Sequence, residues 1–293
     1  MQGLLVINKP KGITSFGVVA RLRKICGEKR IGHTGTLDPL ASGVLVCLIG
    51  RPCVLSDYIM GSSKTYIASI KLGIQTDSYD ITGEVINSSK KKVTKAEFEN
   101  AVNSFLGKSM QLPPMFSAKK VNGQKLYELA RKGEEIERKP SEITIEKIEI
   151  LDFCENEAKI LVVCSKGTYI RSLINDIGEK LGSFATMTEL IRTENGGFNI
   201  EKAVNLDDLT TENVADYLLS AEKAVLNYKS VKVTEKQAIR FYNGGELDLA
   251  RVHGVSINED EIVRVNYLDK FVGLGKRKQT TLKVVCPIEN PNS

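Results

Sequence analysis

Residues 32–45 read G-H-T-G-T-L-D-P-L-A-S-G-V-L. Asp38 stands alone there among glycines, threonines and apolar residues, with Pro39 directly after it. Proline biases the residue before it toward extended backbone, and the flanking glycines allow a tight path, so the loop can hold one carboxylate at the rim of a sheet. Two uses of such an acid are open. It can cap the segment that follows, Asp-Pro being a common turn or helix start. It can also be a reactive group. A two-carboxylate hydrolase needs a second acid at a set distance, and no sequence neighbour supplies one. A lone acid suits nucleophilic attack or proton abstraction, kept ionised by a nearby cation. Arg171, in G-T-Y-I-R-S-L, is a candidate cation, although an arginine in the first turn of a helix is also commonly solvated.

Working outward, the unbroken V-L-V-C-L-I within Gly43–Ile49 predicts a strand buried on both faces. Upstream, Gly3–Ile7 reads as a short apolar strand, and a serine or threonine of the T-S pair that follows can cap a helix over Ser15–Ile25. Thr65–Leu72 alternates as a half-buried strand. Thr94–Leu106 reads as an amphipathic helix with a Thr94/Glu97 capping box. Glu142–Asp152 and Glu157–Cys164 read as paired strands, and Tyr169–Leu181 as a helix stopped by Gly182. The elements interleave without a regular βαβ rhythm, which points to an α/β or α+β enzyme domain rather than a doubly wound fold.

The texture changes near residue 228. Beyond it come a short helix (Glu235–Phe241) and β-like runs at Ile262–Tyr267, Phe271–Leu274 and Leu282–Val285, with the basic run Gly275-Lys276-Arg277-Lys278. The predicted division is residues 1–228 and 229–293, the second unit being small enough to need docking on the first.

Composition excludes several classes. The chain has 293 residues, 42% hydrophobic and 26% charged, with a net charge of +5, which permits a polyanionic partner without requiring one. Two histidines (His33 and His253) and six cysteines without a C-x-x-C pair argue against a zinc site, so no metal is expected. No apolar run reaches the ~20 residues of a bilayer span, and no cleavable leader is evident; a cytoplasmic protein is expected.

The loop closely resembles the catalytic motif of the TruB family of pseudouridine synthases. Further segments match in the same order: L-L-V-I-N-K-P-K-G-I-T-S at the start, K-T-Y at 64–66, T-D-S-Y-D-I-T-G at 76–83, Q-L-P-P-M-F-S-A-K-K at 111–120, S-K-G-T-Y-I-R-S-L at 165–173 and L-I-R-T-E-N-G-G-F at 190–198. The resemblance implies a pseudouridine-synthase catalytic domain, a mixed and largely antiparallel sheet flanked by helices, and a small C-terminal β-barrel similar to a PUA domain. It implies conversion of uridine 55 in the tRNA T loop to pseudouridine, without a cofactor and with the base flipped out of the RNA. Asp38 would be the catalytic acid, Arg171 its ion-pair partner, and Tyr66 would stack on the uracil and serve proton transfer. Tyr169 and Leu190 would line the uracil pocket, with Asp80 hydrogen-bonding there. His33 would face the RNA, and Lys9 would support the loop or meet phosphate. Residues of about 110–138 would be an RNA-gripping insertion.

Phe116, where the family often has tyrosine, and Ser141-Glu142, where a basic residue is frequent, bear on RNA grip. Two other roles stay open: the catalytic subunit of a guide-RNA particle, and a tRNA-folding chaperone with incidental catalysis. The expected partner is the tRNA T arm, with no membrane, no obligatory protein partner and a monomeric state.

Overall fold

In a computed structural model, the structure describes residues 1–59, 63–117, 120–121, 123–130, 133–134, 136–252, 254 and 256–292; for residues 120, 121, 125, 127 and 128 it describes the backbone alone. His253 and parts of the 110–138 segment lie outside the described residues. The first unit contains β1 (Gly3–Lys9), α1 (Ser15–Cys26), β2 (Ile31–His33), β3 (Ser42–Ile49), β4 (Lys64–Leu72), α2 (Lys95–Asn103), β5 (Gly107–Gln111), β6 (Ser141–Cys154) and β7 (Glu157–Cys164). It continues with α3 (Ile170–Leu181), β8 (Ala185–Asn195), β9 (Phe198–Asn199) and β10 (Val204–Asn205). One ten-stranded sheet runs β10-β1-β3-β8-β4-β7-β6-β5, with β2 on β3 and β9 on β8. The β1/β10 and β3/β8 pairs are parallel and the others antiparallel.

Local chemistry sets the helix ends. The Thr14 side chain accepts from the Gly17 amide to start α1, and Gly27 closes it in the left-handed region. The expected capping box of α2 is present, with Thr94 and Glu97 satisfying each other's backbone amides. Gly182, at φ 62°, ends α3.

Arg192 of β8 pairs with Tyr66 of β4 and Gly43 of β3, so one face of the sheet runs continuously across all three strands. On that face α3 packs Leu173, Ile174 and Ile177 against Ala68, Ile70 and Ile160, while α1 packs Val18, Val19 and Leu22 against Leu5, Leu45 and Cys47. The opposite face of β1 and β3, with Leu4, Val6, Val44 and Val46, meets Phe271, Leu274, Cys286 and Ile288 of the C-terminal unit. Both faces of β3 are therefore covered.

The C-terminal unit has strands β11 (Ser230–Lys232), β12 (Leu247–Asp248), β13 (Ile262–Tyr267), β14 (Lys270–Lys278) and β15 (Thr281–Pro287), with α4 (Glu235–Tyr242) against them. Their order is β11-β13-β14-β15-β12, and among the described residues no pairing joins β11 to β12. The β-barrel expected there is not shown: the described strands form an unclosed five-stranded sheet with edge strands of three and two residues. The basic run read from the sequence is partly neutralised locally: Lys276 (2.7 Å) and Lys278 share Asp260, and Arg277 approaches Glu259 at 3.7 Å.

The sequence reading assigned no strand to β8. Its A-T-M-T-E-L-I-R-T-E-N carries Glu189, Arg192 and Glu194, and register shifts beside Met187 and Arg192 break the alternation that would announce a strand. Among the described residues no helix is long and apolar enough to cross a membrane, and all six cysteines are free thiols.

The close approach of α3 to β8 needs a bare backbone at Gly178, where an added Cβ would lie 2.1 Å from the Ala185 nitrogen. Helix propensity alone predicts that Gly178→Ala stabilises by about 1 kcal/mol. The clash predicts the opposite, a loss of about 1–3 kcal/mol. Urea unfolding should show the midpoint falling.

Candidate active site

Asp38 lies on the loop between β2 and β3. Backbone contacts fix that loop before any side-chain chemistry is considered. The Ser15 hydroxyl donates to the Leu37 carbonyl (2.9 Å) and accepts from the Leu37 amide (2.8 Å), joining the start of α1 to the loop. The Gly12 amide donates to the Pro39 carbonyl at 2.8 Å, and the Ala41 amide to the Asp38 carbonyl at 3.1 Å. Beneath the loop, Arg192 is 1% exposed. It donates through Nε to the Val44 carbonyl (2.7 Å) and through Nη2 to the Gly35 carbonyl (3.0 Å), and reaches the Thr36 carbonyl at 3.5 Å. One buried guanidinium thus spans the loop and the strand that leaves it.

The Asp38 carboxylate accepts from Arg171 Nη2 at 2.8 Å. Arg171 sits in the first turn of α3, where a solvated side chain is common, yet it is 5% exposed. Its Nη1 approaches Asp80 Oδ2 at 3.4 Å and donates to the Ser78 carbonyl at 3.0 Å, while Nη2 also reaches the Phe116 carbonyl at 2.7 Å. Asp80 is held in turn by the Ser78 hydroxyl (3.1 Å) and by the amide (3.0 Å) and hydroxyl of Thr82. A second tether sets the start of α3. The Gln111 amide brackets Tyr169, donating to its carbonyl at 3.0 Å and accepting from its backbone amide at 2.8 Å.

A cavity of about 560 Å³ opens beside the carboxylate, lined by Asp38, Tyr66, Tyr169, Arg171 and Leu190, with Lys64, Lys166 and Arg192 adding positive charge. Burial pushes the Tyr66 hydroxyl above its ordinary value, with Arg192 opposing that shift. Burial likewise raises Tyr169. Both phenols therefore stay neutral near pH 7 and can donate as well as accept. Burial, together with Arg192 and Lys166, draws the Lys64 ammonium down to about 8. The pocket has an acid held by a cation, two aromatic rings and a leucine in its lining, and neutral hydroxyls. Among the described residues no group of three or more His, Cys, Asp or Glu side chains is placed to hold a metal.

Five residues singled out from sequence thus meet at one cavity: Asp38, Tyr66, Tyr169, Arg171 and Leu190. Three do not line it. Asp80, expected to hydrogen-bond in the uracil pocket, is 5% exposed and braces Arg171 from behind. His33 is partly buried, with Nδ1 accepting from the Gly35 amide at 3.4 Å; burial and then Arg192 lower its pKa. Lys9 is fully buried, donating to the Pro10 (2.9 Å) and Ile13 (2.7 Å) carbonyls, which leaves it no surface for a phosphate. It supports the turn before α1 instead.

Sequence reasoning passed over Arg192 and Lys64. Each stands two residues along a strand from a residue that was singled out, Leu190 and Tyr66, and so shares its face. That spacing was the available signal.

Two family models match in tandem: TruB family pseudouridylate synthase (N terminal domain) over residues 23–170, and tRNA pseudouridylate synthase B C-terminal domain over residues 171–226. A tRNA pseudouridine synthase B of Clostridium tetani is 44% identical over 286 residues, covering 97% of this chain and 99% of that protein. One of Clostridium novyi is 47% identical, covering 97% and 98%. Among solved structures, a chain of an H/ACA ribonucleoprotein bound to a substrate RNA containing 2′-deoxyuridine superimposes with a TM-score of 0.76 at 24% identity, covering 99% of this chain and 86% of that one, which shows a shared fold.

Two buried cations generate predictions. Arg192→Met takes the donor from the buried Val44 carbonyl and from the Gly35 carbonyl, at about 1–3 kcal/mol for a buried acceptor left unpaired. Chemical denaturation should show a loss of that order. Burial, offset in part by Asp38 and reinforced by Arg192, lowers Lys9 from 10.5 to about 8. Between those values the unfolded chain holds more protons than the folded one, so the Lys9 contribution to stability rises with pH. Urea unfolding from pH 7 to 10 should show a flatter profile for Lys9→Met than for the native chain.

Proposed function

The chain belongs to the TruB family of pseudouridylate synthases, and from that membership we propose the reaction of its cavity. It isomerises uridine in tRNA to pseudouridine: the N1–C1′ bond breaks, the uracil turns, C5 bonds to C1′, C5 loses its proton and N1 gains one. Atoms balance without an external reactant.

The proposed target is position 55 in the T loop, with the base flipped out of its stack at a cost of a few kcal/mol. The observation that carries the reading is the 2.8 Å contact between Asp38 and Arg171 at the mouth of the cavity. It aims the carboxylate and sets a compensating positive charge beside it, as attack at C1′ and proton removal from C2′ both need. Tyr66 and Leu190 would sandwich the uracil, with Tyr169 closing the pocket. The neutral Tyr66 hydroxyl is suited to passing the C5 proton. His33, next to the loop, would face the RNA around the displaced base.

The division at residue 228, a PUA-like RNA-contacting role for the C-terminal unit, and grip by the segment of about 110–138 complete the proposal. The enzyme is read as a cytoplasmic monomer acting on the T arm without a protein partner or cofactor. Two full-length relatives bear the name of a tRNA enzyme, which favours this over a guide-RNA particle.

Tritium release from C5-tritiated tRNA tests the reading. Release is expected from the wild type alone, none from Asp38→Asn, and none from a transcript whose T-loop uridine is replaced by cytidine. Release that survives Asp38→Asn would remove Asp38 from the chemistry.

A further inference from the structure

The apolar residues of α1 divide into two groups. Val18, Val19 and Leu22 are at most 3% exposed and face the sheet, whereas Phe16 is 66% exposed. Phenylalanine has no helix-propensity advantage that would explain it on an outer face. The ring has a companion: the Arg23 guanidinium, two turns along, lies 5.7 Å from its centroid, within cation–π range. Lys24 follows, and α1 contains no acid. Among the described residues neither Arg23 nor Lys24 has a carboxylate at ion-pair distance, while Arg21 is paired with Asp207.

Location gives this pair its meaning. Ser15 is hydrogen-bonded to Leu37 in both directions. Phe16 is one residue from that contact on the helix, and Asp38 is one residue from it on the loop. That contact therefore brings the backbone carrying the exposed ring beside the backbone carrying the proposed catalytic carboxylate. Flipping a base unstacks its neighbours, and unpaired bases are commonly stacked on aromatic faces, with cations along the backbone.

We propose that Phe16, backed by Arg23, is a stacking platform for an unpaired base of the RNA strand beside the target uridine, with Arg23 and Lys24 meeting the adjoining phosphates. This rests on the reading of the substrate as a tRNA uridine. The platform adds binding rather than chemistry.

The chain has no tryptophan, so Phe16→Trp introduces a single indole at the site, which can be excited apart from the nine tyrosines. Its emission should be quenched as tRNA is titrated in, with tritium release retained. Phe16→Ala should raise KM about fivefold or more, the lower end of a lost stack, with kcat little changed. Arg23→Ala should reduce the slope of log affinity against log salt by about one. Unchanged KM in Phe16→Ala, or emission that ignores saturating tRNA while tritium is still released, would overturn the platform. If the wild type releases no tritium, the uridine reading fails by itself. Quenching by tRNA then still supports the platform, and its absence overturns it.

Discussion

The guanidinium of Arg171 joins four parts of the chain. It belongs to α3, pairs with Asp38 and Asp80, and donates to the backbone at Ser78 and Phe116. Burying a cation is costly, and it is tolerated here because both terminal nitrogens of the planar group have acceptors. Removing one partner from such an arrangement costs about 3–5 kcal/mol. Exposure is unequal across the main pair, 5% for the arginine side chain and 36% for the aspartate. An arriving nucleoside meets the carboxylate, while the cation paired with it stays behind the wall.

A second buried arginine divides the labour. Arg171 aims the acid from the side, and Arg192 holds the path of the loop from below through carbonyls alone. Lys9 carries the turn that precedes α1, and Ser15 ties that helix to the loop. The loop contributes little apolar contact of its own beyond Leu37, Leu40 and Ala41. Its shape is imposed by polar groups anchored in the sheet and in two helices, an arrangement suited to placing one oxygen reproducibly.

Much of this was legible in the sequence, for identifiable reasons. Helix ends marked by Thr14, Thr94 and Gly182 are local events and were read locally. The doubly buried β3 announced itself as an unbroken apolar run. Strand β8 was missed because its charged residues serve the site: Arg192 belongs to the loop below which it lies, and Glu189 pairs with Lys11. Asp80 was given to the substrate, and Lys9 left between loop support and phosphate, because sequence does not reveal burial. A lysine in N-K-P-K-G looks solvated until Pro10 and Ile13 turn their carbonyls onto it. Family resemblance supplied the roles of Tyr66, Tyr169 and Leu190, which periodicity alone would leave as core residues.

The strand order has a consequence for synthesis of the protein. Strand β8 sits between β3 and β4, although more than a hundred residues separate it from either along the chain. Until Ala185–Asn195 has left the ribosome, β3 and β4 each present an unpaired edge, and the cavity lacks the wall carrying Leu190 and Arg192. The nascent N-terminal half cannot complete its own sheet. Such late, long-range closure is slow and exposes strand edges to other chains. Overexpression at high temperature should therefore divert this protein into aggregates from the nascent state rather than from the finished fold.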